Sequence, residues 1–110
     1  MLFALMADYT PEAMKALIRD PVDRGQVLAR MLEATRVKVV DFYATSGGDN
    51  EGVLVLYNVQ EEIDFKATLN IAIASGAFRS VRGIRLLTGE ESRQALVQAK
   101  EFQNHYQPPH

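Results

Sequence analysis

At 110 residues the chain has room for one domain, burying roughly 65% of the surface that its unfolded form exposes. A net charge of −2 and a pI near 5.6 give no electrostatic footprint for nucleic acid or an acidic membrane. The absence of cysteine excludes disulfides, thiolate catalysis and zinc–thiolate sites. The opening MLFALMADYT has no basic start and no small-residue cleavage site, so it does not read as a signal peptide. No run approaches the roughly 18 apolar residues of a membrane helix. A soluble, cytoplasmic, bacterial-type protein is expected.

Leu2–Ala7 is apolar at odd and even positions alike, which predicts a central strand covered on both faces. Thr10-Pro11-Glu12 starts a helix with a hydroxyl cap, proline at the first position and an acid in the first turn. Asp20-Pro21 breaks the stripe of Ala13, Met14, Leu17 and Ile18. It predicts one helix with a kink or short stagger, Asp20 capping a second half that carries Val27, Leu28, Met31 and Leu32.

Val37–Ala44 reads as a strand with Val37 and Val39 on one face and Val40 and Phe42 on the other. Ser46 to Gly52 form a Gly- and Asp-rich turn. Val53–Val59 is apolar on both faces and predicts a second central strand. Gln60–Ser75 reads as a helix stopped by Gly76. Phe78–Leu87, with Arg79, Arg82 and Arg85 interspersed, predicts a charge-protected edge strand. Thr88-Gly89-Glu90-Glu91 is a capping-box pattern opening a last helix with the stripe Leu96, Ala99, Phe102 and Tyr106, and Gln107 to His110 form a tail.

The order β-α-β-β-α-β plus a terminal helix predicts an α+β, ferredoxin-like split fold with a four-stranded antiparallel sheet and its two crossover helices on one face. The other face cannot be polar, because the central strands are apolar on both sides. Leaving it wet forgoes several kcal/mol at about 25 cal/mol per Å². A second copy packed sheet on sheet, giving a homodimer or an assembly of dimers, is one cover; the last helix folding back is the other.

Asp8-Tyr9-Thr10, the break Asp20-Pro21-Val22-Asp23-Arg24, Val40 to Gly47 and Val81 to Glu91 together resemble the GYD domain family over residues 1–92. The resemblance implies small bacterial proteins of the dimeric α/β-barrel type, largely uncharacterised, with no catalytic residue to carry over. The family's Gly-x-Tyr-Asp signature falls on Gly48-Asp49-Asn50-Glu51, where Asn50 replaces the tyrosine.

The residues themselves offer no catalytic set. Asp49-Asn50-Glu51 supplies too few oxygens for a hard cation. His105 and His110 have no ligand partner at helical spacing, and Gly47-Gly48 with Gly52 lacks the lysine and helix of a phosphate loop. No metal and no cofactor is expected. The candidate ligand contacts are Tyr9 and Tyr43, at the ends of strands beside Asp8 and Asp41, and Arg85 on the edge strand. The favoured expectation is an oligomeric protein that binds a small molecule or a partner without catalysis. The alternative is a cofactor-independent enzyme, a monooxygenase or isomerase, with Tyr9 and Tyr43 as proton donors and Arg85 holding an anion. A third reading is a regulatory domain pairing through the open face.

Overall fold

A computed structural model describes residues 1–47 and 50–109. The chain runs β1 (Leu2–Tyr9), α1 (Pro11–Arg19), α2 (Arg24–Met31), β2 (Lys38–Gly47), β3 (Asn50–Asn58), α3 (Glu62–Ala74), β4 (Phe78–Leu86) and α4 (Gly89–Gln103). The four strands form one antiparallel sheet in the order β2-β3-β1-β4. This is the ferredoxin-like α+β fold. The two runs without alternation, β1 and β3, are the central strands, and the arginine-bearing β4 is an edge.

One face of the sheet carries the core. Phe3, Leu5 and Ala7 of β1 stand beside Val53, Val55 and Tyr57 of β3, and all six are almost wholly buried. Helix α3 closes this core with Phe65, whose ring stacks on Phe3 with centroids 4.3 Å apart. Gly83 of β4 lets α3 approach closely: a Cβ there would meet Leu69 Cδ1 and Phe65 Cε2 at 2.8 Å. The opposite face presents Leu2, Met6, Leu54, Leu56, Ile84 and Leu86, which share it by the pairing register.

Three local expectations are corrected. The first helix is two helices, and Asp23 rather than Asp20 caps the second, accepting from the Gln26 N–H at 3.2 Å. Pro21 therefore sits in the connection between the two helices instead of opening α2. Strand β2 holds an irregularity between Val39 and Asp41, where the register slips past Val40. A bulge sets two residues against one, so Val39 and Phe42 share the core face while Val40 is left exposed. A second slip, between Asp8 and Tyr9, pairs Tyr9 with Phe78.

The hairpin strands also reach further than the glycines suggest, pairing to Gly47↔Asn50, with Ser46 Oγ donating to Glu51 Oε1 at 2.6 Å. Gly48 and Asp49 of the turn and signature, and His110 of the tail, lie outside the described residues.

The capping box at Thr88 forms in full: its Oγ1 accepts from Glu91 N–H, and Glu91 Oε1 accepts from Thr88 N–H, each at 3.0 Å. The helix it opens does not fold back over the bare face. Beyond its first turn every residue of α4 is exposed. Among the described residues no helix is long and apolar enough to cross a membrane.

Candidate functional site

Helices α1 and α2 bury no residue fully. α2 meets the sheet at Gly25 over Phe42, and the remaining gap between α1, α2, α3 and the core face is an open cleft of ≈ 1030 Å³. Such a volume is at the upper end for small-molecule sites. Leu5, Val53 and Val55 form its floor, Leu17, Leu28 and Met31 its roof, and Ile71 its side. A second hollow of ≈ 400 Å³ adjoins it where Tyr9, Leu17, Val22, Arg24 and Phe42 line both.

Two polar groups meet at that junction. Tyr9 closes β1, with its ring stacked on Phe78 at 5.2 Å. Arg24 is the first residue of α2, placed by the Asp23 cap. Burial pushes the Tyr9 phenol above its ordinary value, and the Arg24 guanidinium facing it pulls part of the way back. The phenol is protonated at physiological pH, as an ordinary tyrosine is, and its O–H can be donated to a ligand oxygen. A guanidinium beside it offers planar donors to a ligand oxygen that carries charge.

At the far end of the cleft Asp64 stands in the first turn of α3, where free backbone N–H groups suit a carboxylate. Its Oδ1 accepts from Arg36 Nη2 at 2.9 Å, while Oδ2 is enclosed without a hydrogen-bond donor. No group of three or more His, Asp or Glu side chains is placed to hold a metal among the described residues.

The three residues singled out from the sequence do not converge. Tyr9 lines the cleft. Tyr43 pairs with Leu54 on the opposite face of the sheet, where its hydroxyl donates to Asp41 Oδ2 at 2.8 Å; that hydrogen bond raises the phenol's pKa. Arg85 pairs with Phe3, about 20 Å along β1 from Tyr9. Its guanidinium lies 5.4 Å from the Phe3 ring centroid and donates to Glu91 Oε2 at 2.9 Å, tying β4 to α4. The Thr88 N–H first, and Arg85 after it, hold the Glu91 carboxyl below the usual range.

Arg24 and Asp64 are the cleft residues that sequence reasoning passed over. Arg24 lies in the Asp20 to Arg24 break, directly after the capping Asp23.

No protein-family model matches the chain, and no curated protein matches it either. Among solved structures it is similar to the 5-chloro-2-hydroxyhydroquinone dehydrochlorinase TftG of Burkholderia phenoliruptrix AC1100, in a complex with 2,5-dihydroxybenzoquinone. The TM-score is 0.56 at 16% identity, covering 82% of this chain and 97% of that one. The likeness is one of fold. It also corrects the expectation of a binder without catalysis, because the solved protein that shares the fold is an enzyme.

Proposed function

We propose that the chain is a cofactor-independent enzyme that moves a proton on a small ring compound bearing an acidic oxygen. The observation that carries this is the pairing of Tyr9 and Arg24 at the mouth of an apolar-walled cleft. The walls suit a flat, largely apolar ring, and Arg24 suits the charge on its oxygen. Tyr9, protonated at physiological pH and facing Arg24, is the proton donor. The similar enzyme's ligand, 2,5-dihydroxybenzoquinone, belongs to this chemical class. The reading favours isomerisation or elimination over oxygenation, since a proton donor and an anion holder are what the cleft supplies.

The test is binding and turnover of hydroxylated and chlorinated hydroquinones, with 2,5-dihydroxybenzoquinone as the non-reacting probe. Tyr9→Phe should keep probe affinity and lose about 10²–10⁴ in turnover. Arg24→Gln should weaken the probe by about tenfold or more. Turnover equal to wild type in Tyr9→Phe would remove the assignment.

The same reading takes the chain as a GYD-type, cytoplasmic bacterial protein that self-associates through its bare sheet face. The quoted motifs, the missing cysteines and the apolar residues of that face support it. Tyr43 and Arg85 enter as residues of the assembly, one on the bare face and the other at the root of α4.

A further inference from the structure

The described chain is much longer than its size requires. Its radius of gyration is 17.6 Å and its long axis 58 Å, whereas a compact chain of this length has a radius near about 13 Å. Helix α4 leaves β4 with its start fixed by the capping box and the Arg85–Glu91 ion pair at 2.9 Å, and beyond its first turn every residue is exposed. Along its free length Leu96, Ala99 and Phe102 recur at three-residue spacing on one flank. Leu96 is 68% and Phe102 63% exposed. An apolar helix flank held out in water is not stable on propensity alone.

The bare sheet face has the complementary deficit. Four strands spaced about 4.8 Å apart and about 28 Å long cover on the order of 500 Å², short of the roughly 800 Å² per partner that a stable interface buries. One side of a 15-residue helix adds on the order of 200 Å², which brings the two surfaces close to that size together. Both lie on one chain and neither covers the other. A two-fold pair closes both deficits at once, because each protomer presents the same two surfaces to its twin.

We infer that α4 is an exchanged arm: in a homodimer paired through the bare sheet faces, the Leu96–Phe102 flank of each protomer packs on its partner. This rests on the self-association proposed above and adds what holds it.

The test compares wild type with Leu96→Glu/Phe102→Glu by analytical ultracentrifugation over a dilution series. Both side chains are exposed in the protomer, so the circular dichroism of the variant should match wild type. The expected result is a wild-type dimer and a variant whose dimer affinity falls about 100-fold or more. As a second measurement, Leu96→Cys in this cysteine-free chain carries an environment-sensitive fluorophore, whose emission should shift to the red as the dimer is diluted. A wild type that is monomeric at micromolar concentration would overturn the arm and self-association alike. A dimer indifferent to the double substitution, with a fluorophore that reports water at every concentration, would overturn the arm alone and leave sheet pairing standing.

Discussion

Helix α3 lays Phe65 flat against Phe3, while α1 and α2, on the same side of the same sheet, bury no side chain completely. The difference starts in the sequence. Opposite α3, the edge strand carries Gly83, which removes the side chain that would hold the helix away. α2 approaches the sheet closely only at Gly25, over Phe42, and both helices start at caps, Thr10 accepting from Ala13 N–H and Asp23 from Gln26 N–H, both at 3.2 Å. Capped ends set where a helix begins without drawing it onto the core. One half of the helical layer thus supplies cohesion, and the other leaves the space in which Tyr9 and Arg24 face each other. A fold this small divides the two tasks between its crossovers.

The sharpest way to break the comparison is to remove the cohesive half. Phe65 is 4% exposed and touches Phe3 and Tyr57. Phe65→Ala should cost about 3–5 kcal/mol, as phenylalanine-to-alanine changes in packed cores do, and urea unfolding would read it as a fall in midpoint at unchanged slope. Leu28→Ala on α2, bordering open space, should cost far less. Equal costs would mean that the two sides are packed alike.

The core under α3 also has a signature in pH. Burial pushes the Tyr57 phenol from 10.0 up to about 12. The folded pKa is the higher one, so this contribution is whole below pH 10 and is lost as pH rises from 10 to 12, where only the unfolded chain has released the proton. The full loss is about 2–3 kcal/mol. Denaturant unfolding at successive alkaline pH values should follow that fall in wild type and a shallower one in Tyr57→Phe. Identical curves would place the alkaline titration elsewhere.

Most of the scaffold was legible because burial on both faces leaves a plain mark: β1 and β3 are the two runs without alternation, and they are the two central strands. The bulges were not legible. A period of two assigns Val40 and Phe42 to one face, but the slip at Val40 turns Phe42 to the core and leaves Val40 in water. Nothing in either side chain announces an extra residue in the ladder. The break after α1 was visible at Pro21, but the sequence pattern places the cap on Asp20, whereas Asp23 caps α2. The cap at Asp23 makes Arg24 the first residue of α2, so half of the candidate site was hidden behind a cap misplaced by three residues. Tyr9 was legible from its place at the end of a central strand. The course of α4 was not, since an apolar flank has the same spacing whether it covers its own sheet or another chain's.

The finest comparison uses two glycines, one under each half of the helical layer. A Cβ on Gly83 would meet Phe65 Cε2 and Leu69 Cδ1 at 2.8 Å, and a Cβ on Gly25 of α2 would meet Phe42 Cβ and Cγ at 3.0 Å. The steric demand is similar, but the freedom to answer it is not. Leu69 can rotate away, whereas Phe65 is held between Phe3 and Tyr57. Gly83→Ala should therefore cost about 1–3 kcal/mol, the usual range for overpacking a filled core. α2 has no fully buried residue to hold it against the sheet, so at Gly25 it can retreat by a few tenths of an ångström. Alanine also gains about 0.8–1.0 kcal/mol over glycine within a helix. Gly25→Ala should leave stability within about 0.5 kcal/mol of wild type and change the affinity for a ring ligand instead, since the helix that moves is the one carrying Arg24. Thermal unfolding of the two variants side by side decides the matter. A loss at Gly25 as large as that at Gly83 would mean that α2 is clamped to the sheet and that the cleft has no yielding wall.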